Sequence, residues 1–285
     1  MSIVYLNGEY LPISEAKVSV EDRGFLFADA IYESTPVYRG RAFLLDRHLR
    51  RLSNGLAALR IDYGLEGLAA VHERLIEENV PVDTPLAFVY VQVTRGVAPR
   101  GHAFPSQPVT PTVYAFAGMV DKPGQARWDE GFEAITVPDR RWARVDVKTT
   151  ALTANVMAQQ AAVEAGATDV VMVRDGMVTE GSHNNIFAVI DGSVVTAPET
   201  NYILHGITRE YVIELAEELG YAVHQRPISV EDLRAADEVF YTGTTTEVRP
   251  TVRIDNQPIG DGKPGAVARA LQALYLRRAQ GNVSA

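Results

Sequence analysis

Leu45, Leu49, Leu52, Leu56 and Leu59 recur at spacings of 4, 3, 4 and 3, which lays an apolar stripe along one face of a helix. A second helix is predicted over about residues 66–79, with Leu68, Val71, Leu75 and Ile76 on its apolar side. Other stretches have the shorter period of strands. The segments from Ile3 to Leu6 and from Glu9 to Ile13 flank Asn7-Gly8, a dipeptide that favours a tight hairpin turn. Pro85 to Arg95 and Thr112 to Gly118 are extended runs, and residues 121–127 (DKPGQAR) form a polar stretch with Pro and Gly that reads as a linker.

Beyond that linker the chain turns strand-rich. Phe132 to Val137, Arg144 to Lys148, Asp169 to Val173, Asn185 to Ile190 and Glu238 to Tyr241 read as strands, with Asp175-Gly176 and Asp191-Gly192 as hairpin turns. Helices are predicted over about 155–165, 208–219 and 264–278. No internal repeat or low-complexity tract interrupts the pattern. The fold class is mixed α/β, with a small N-terminal α/β domain over 1–120, a linker over 121–127 and a larger C-terminal domain over 128–285.

Composition narrows the function. The 285 residues are 46% hydrophobic and 22% charged, enough apolar material for a real core. Lys plus Arg number 27 and Asp plus Glu 36, a formal net charge of −9. That disfavours nucleic acid and anionic membranes, which call for clustered positive charge. There is no cysteine, which excludes disulfides, thiolate metal sites and a cysteine nucleophile. The start, MSIVYLNGEYLP, shows no basic, apolar leader pattern, and no run reaches a membrane span. The expectation is a cytoplasmic globular enzyme or binding protein.

Five segments could carry chemistry. Lys148 is one of only four lysines, with Lys17, Lys122 and Lys263. On a strand from Arg144 it would point with Arg144 and Asp146, opposite Val145 and Val147. Burial lowers a lysine's pKa and frees its amine as a nucleophile; a surface lysine on an edge strand accounts for the same residues. Glu180, followed by Gly181 and a polar run, suits a loop that sets one charge in a pocket, or simply a solvated loop. Gly206-Ile207-Thr208-Arg209 opens a helix whose free N–H groups suit a phosphate, although an N-cap by Thr208 explains it equally. Thr244-Thr245-Thr246-Glu247 matches a capping box and also a second glycine–threonine phosphate turn after Gly243. Arg100 and His102 alternate on an extended segment, where one carboxylate could meet both; a polar surface loop fits too. His48, His72, His205 and His224 have no metal-ligand spacing.

The order of these segments is more specific than any one of them. Asp22-Arg23-Gly24-Phe25, Asp29 to Glu33, His48-Leu49-Arg50-Arg51-Leu52, Arg100-Gly101-His102, Lys148, Glu180-Gly181 with Asn185, Gly206 to Arg209 and Thr244-Thr245 follow one another from about residue 3 to 278. That order resembles the fold-type IV aminotransferases, which use pyridoxal 5′-phosphate, and Arg100-Gly101-His102 resembles their D-amino-acid-specific members. The resemblance implies a larger C-terminal pseudo-barrel domain and a homodimer. It implies that Lys148 is catalytic and holds the cofactor as a Schiff base, with Glu180 on the pyridine nitrogen. Arg51, Ile207, Thr208 and Thr244 would bind the phosphate and Leu204 would back the ring. Tyr32, Arg100 and His102 would take the substrate carboxylate, the last two from the partner subunit. The implied reaction is ping-pong transamination between a D-amino acid such as D-alanine or D-glutamate and 2-oxoglutarate or pyruvate, with pyridoxamine 5′-phosphate as the intermediate form. The alternatives are an (R)-selective amine or branched-chain-type transaminase, or an aminodeoxychorismate lyase. The chain departs from the family at Ala28 and Ala30, often glycines, at His183 and Asn184, commonly serines, and along Ser34, Thr35 and Pro36, which line the pocket.

Overall fold

The computed structural model describes residues 2–281, and these divide into two compact units. The first comprises residues 2–122 and Val147–Leu152, the second Pro123–Asp146 and residues 153–281. The boundary differs from the expected one. The short segment that carries Lys148 belongs with the N-terminal unit, because Val147 enters that unit's core and Thr149 bridges Ile31. The stretch read as a linker also contains the start of a helix, α4 (Gln125–Glu130).

In the first unit β1 (Ile3–Leu6) and β2 (Glu9–Pro12) form the hairpin that Asn7-Gly8 announces. Asn7 and Gly8 both take positive φ, 51° and 101°, the combination a type I′ turn requires. A one-turn helix α1 (Arg23–Phe27) follows, capped by Asp22, whose side chain accepts from the Gly24 N–H. Ala28 ends it in the left-handed conformation at φ 55°, where glycine would be unstrained. Then come β3 (Ala30–Tyr38), β4 (Arg41–Ala42), α2 (Leu45–Leu59), α3 (Leu68–Asn79), β5 (Ala87–Thr94) and β6 (Val113–Met119). The strands make one antiparallel sheet in the order β2-β1-β6-β5-β3-β4. Leu52 and Leu56 of α2 and Leu68, Val71, Leu75 and Ile76 of α3 close the core over Ile31, Val37, Val89, Val91 and Val93. The leucine stripe thus does what its period predicts.

The second unit continues with β7 (Phe132–Pro138), α5 (Thr153–Glu164), β8 (Asp169–Arg174), β9 (Met177–Val178), β10 (Asn185–Ile190), β11 (Ser193–Thr196), α6 (Ile207–Glu218), β12 (Val223–Gln225), α7 (Val230–Arg234), β13 (Glu238–Gly243), β14 (Glu247–Ile254), β15 (Gln257–Pro258) and α8 (Ala266–Ala279). Its nine-stranded sheet runs β12-β11-β10-β13-β14-β7-β8-β9, with β15 on β14. Pairings are mixed: β7 lies parallel to both β8 and β14. Strand β8, next to the short edge strand β9, is apolar on both faces because both are covered. Val171 faces the main core with Ile186, Ala188 and Tyr241, while Val170 and Met172 face Ala158 and Ala162 of α5.

Three local expectations fail. Arg144 to Lys148 is turn and bend, not strand, and its two buried valines fall in different units, Val147 packing in the core of the first. Thr244 to Thr246 is the turn between β13 and β14, so it caps no helix. Likewise α6 is capped by Gly206 rather than Thr208.

Candidate active site

In the first unit, Lys148 sits on a loop strapped to β3. The Tyr32 N–H donates to the Lys148 carbonyl at 3.1 Å, and the Thr150 N–H to Ala30 at 3.3 Å. The lysine amine lies 4.2 Å from the Tyr32 ring centroid and has no hydrogen bond or ion pair among the described residues. Strand alternation divides the roles of β3. Tyr32 stacks on Tyr90 with centroids 5.4 Å apart, whereas Ile31, Glu33, Thr35 and Val37 are buried on the side of the helices.

Glu33 is therefore a carboxylate inside the core, and it is fully satisfied. Arg51 grips it as a fork, Nε to Oε1 at 2.7 Å and Nη2 to Oε2 at 2.9 Å, and His48 Nδ1 lies 2.9 Å from Oε2. These charges hold the Glu33 carboxyl far below the usual range although burial pushes it up. Burial lowers the pKa of His48 and His72. Thr35 Oγ1 and His72 Nε2 pair at 3.3 Å.

Arg100 and His102 lie exposed on the loop after β5, and both rest on Phe27. The Arg100 guanidinium is 5.1 Å from the Phe27 centroid and the His102 ring 5.8 Å from it. Arg23 Nη1 donates to the Gly101 carbonyl at 2.8 Å and so pins the loop between them. Within the chain, Tyr32 contacts neither of the pair among the described residues.

The second unit holds Glu180, only 4% exposed. Its Oε1 accepts from Arg141 Nη1, and its Oε2 accepts from Asn185 Nδ2 at 2.8 Å and from the Leu204 N–H at 2.9 Å. Burial raises its pKa, and Arg141 opposes that. Asn185 also donates to the Leu204 carbonyl at 2.9 Å, so one side chain ties the carboxylate to the loop before α6. That helix has no side-chain cap, and Ile207 and Thr208 supply its first, buried turn. A Cβ at Gly206 would meet Asn185 Oδ1 at 2.1 Å, so glycine is required there by close approach. Thr244, in the β13–β14 turn, is half-buried. Among the described residues no cluster of His, Asp and Glu could hold a metal ion.

A family profile described as Amino-transferase class IV matches residues 30–254. The chain belongs to this family. It is 40% identical over 274 residues to a D-alanine aminotransferase of Staphylococcus haemolyticus, covering 95% of this chain and 96% of that one. A D-alanine aminotransferase of Bacillus licheniformis is 40% identical over 271 residues, 94% of each chain. Among solved structures, the branched-chain aminotransferase of Thermoproteus uzoniensis with norvaline superposes with a TM-score of 0.87 at 27% identity, over 99% of this chain and 96% of that chain. A T.th. branched-chain amino acid aminotransferase with pyridoxamine 5′-phosphate superposes with a TM-score of 0.89 at 29% identity, over 98% of this chain and 94% of that chain.

Class IV aminotransferases use pyridoxal 5′-phosphate, which needs an amine for its aldehyde, an anion for its ring nitrogen and N–H donors for its phosphate. The residues present fit those needs. Lys148 offers an unpaired amine, and the start of α6 offers uncapped N–H groups. A carboxylate accepts at about four lone-pair sites, and Glu180 receives three donors, which leaves one for a ring N–H. Asp139 and Arg141 fall outside the sequence motifs, and Glu33 stands in one of them without an assigned role. The Asp-x-Arg spacing of the first two was the available signal, but nothing in it named Glu180 as their partner.

Proposed function

We propose that the protein moves an amino group between D-amino acids and 2-oxo acids, with Lys148 and Glu180 serving one pyridoxal 5′-phosphate. The observation that carries this reading is the 40% identity to D-alanine aminotransferases over 95% of the chain. Bound, the cofactor supplies an aldehyde that takes the amino group and a conjugated ring that accepts the electrons left when Cα loses its proton. Lys148 would hold it through Nζ, and the same amine would take the proton from the substrate Cα and hand it on to the cofactor side. Such a general base contributes typically ~10²–10⁴ in rate. Glu180 keeps a proton on the ring nitrogen. The Ile207 and Thr208 N–H groups, Thr244 and Arg51 bind the phosphate, the last oriented by Glu33, and Leu204 backs the ring.

Stereochemistry is set by the carboxylate. Tyr32 on one side, with Arg100 and His102 reaching in from the partner of a homodimer, hold it so that the D-enantiomer turns its Cα hydrogen to Lys148. A charge-assisted hydrogen bond contributes about 1.5–3 kcal/mol, one to two decades of discrimination. No helix among the described residues is long and apolar enough to cross a membrane, which is consistent with the cytoplasmic location proposed here.

The second reading is branched-chain transamination, favoured by the two superpositions on enzymes of that kind. Purified protein given D-alanine and 2-oxoglutarate is expected to form pyruvate and D-glutamate. Turnover of L-leucine in preference to D-alanine would replace the first reading by the second. A Lys148→Ala variant as fast as the parent would overturn both.

A further inference from the structure

Behind Glu180 in the second unit lies a buried chain of alternating charge. Asp139 directly follows β7, and its carboxylate takes the Arg141 fork, Nε to Oδ1 at 2.9 Å and Nη2 to Oδ2 at 2.8 Å, as well as the Arg141 N–H at 3.1 Å. The Thr179 hydroxyl donates to Asp139 Oδ2 at 3.0 Å. On the outer side Arg174 Nη2 lies 3.1 Å from Asp139 Oδ1 and donates to the Arg141 carbonyl at 2.9 Å. Only Nη1 of Arg141 turns to Glu180. Side-chain exposure is 0% for Asp139, 4% for Arg141 and 6% for Glu180. Arg209, on α6, is a further charge that interacts with Glu180.

We propose that Asp139 and Arg141 are positioning residues that fix both the orientation and the effective charge of Glu180 towards the cofactor's ring nitrogen; this rests on the transaminase reading above. A buried carboxylate paired one-to-one with arginine is neutralised, and would attract a ring N–H weakly. A bidentate pair is the stronger contact, and here the fork faces Asp139 while Glu180 receives a single N–H. Asp139, which Arg174 also meets on its outer side, therefore takes the larger share of the Arg141 guanidinium, and Glu180 is only partly neutralised towards the ring. Arg141 in turn opposes the burial that pushes the Glu180 pKa up, since desolvation alone favours the neutral acid. Thr179 and the Tyr202 carbonyl, each 3.3 Å from Arg141 Nη2, hold the guanidinium in place.

The test uses holoenzyme reconstituted with ring-¹⁵N-labelled pyridoxal 5′-phosphate. In Asp139→Asn, Arg141 is released from its counter-charge and neutralises Glu180. The ring ¹⁵N resonance is expected to move from the protonated towards the unprotonated position, and kcat to fall about ten- to a hundredfold with KM for the donor little changed. Arg141→Lys keeps the charge but has no fork to divide between two carboxylates, and is expected to shift the resonance in the same direction by less. A purely structural role would lower Tm and leave the resonance unmoved. Parent-like resonances in the folded variants overturn the proposal, and if Asp139→Asn does not fold, a parent-like resonance in Arg141→Lys does so alone. A parent protein that binds no labelled cofactor would instead overturn the function itself.

Discussion

Tyr32 holds Lys148 at both ends: its backbone N–H donates to the lysine carbonyl at 3.1 Å, and its ring faces the lysine amine at 4.2 Å. An ammonium over an aromatic face gains about 0.5–2 kcal/mol. Tyr32→Leu removes the ring and keeps the backbone bond. Turnover is expected to fall about tenfold, while borohydride still fixes the cofactor to Lys148. Loss of that covalent adduct, read by mass, would mean that the ring does more than orient the amine.

Glu33 is expected to be a stability residue as well as the orienter of Arg51. Removing one partner of a buried ion pair costs about 3–5 kcal/mol, so Glu33→Gln should lower the urea midpoint by that equivalent. Cofactor affinity should weaken as well, because the Arg51 fork loses its fixed partner.

The buried histidines predict a pH dependence. His48 and His72 have lowered pKa values in the folded protein, chiefly through burial. As pH falls below about 6.5, the unfolded chain takes up protons that the folded one refuses, so stability drops. It is complete above that value and declines until the folded histidines titrate. Thermal melts from neutral to mildly acidic pH should show the decline, and His72→Gln should flatten it. Glu33 acts lower on the scale: its depressed pKa stabilises above the ordinary carboxyl range and that contribution is lost as pH falls below it.

Gly206→Ala should act at a distance from its own side chain. The new Cβ meets Asn185 Oδ1, and Asn185 is the residue that ties Glu180 to Leu204. Weaker cofactor retention on gel filtration is expected, with the α6 helix intact by circular dichroism.

Arg100→Ala should raise KM for D-amino acids ten- to a hundredfold, roughly the loss of one charge-assisted hydrogen bond, while cofactor colour survives. Phe27→Ala, which removes the ring under both Arg100 and His102, should do the same. An unchanged KM in both would remove that loop from carboxylate binding.

Regular periodicity made much of this fold readable. The leucine stripe of α2 and the paired turn dipeptides Asn7-Gly8, Asp175-Gly176 and Asp191-Gly192 all take the conformations their chemistry favours, each turn with two positive φ values. β3 was not readable, because its buried face interleaves Ile31 and Val37 with Glu33 and Thr35, polar residues whose partners Arg51, His48 and His72 come from helices far along the chain. The Arg144 to Lys148 stretch misled through alternation alone: two buried valines look like one strand face when each in fact belongs to a different unit. Site residues named by type and order are those whose own chemistry is distinctive, lysine or glutamate beside glycine. Asp139 and Arg141 matter through a partner some forty positions on, and a linear string does not display that pairing.

The loop around Lys148 has a consequence for biosynthesis. Residues 147–152 complete a core whose remaining strands and helices all precede residue 123. A growing polypeptide therefore exposes an almost finished N-terminal sheet, still missing Val147, while the ribosome adds the intervening stretch. The reactive amine arrives together with the last stitch of that unit, so maturation of the lysine and closure of the sheet are one event.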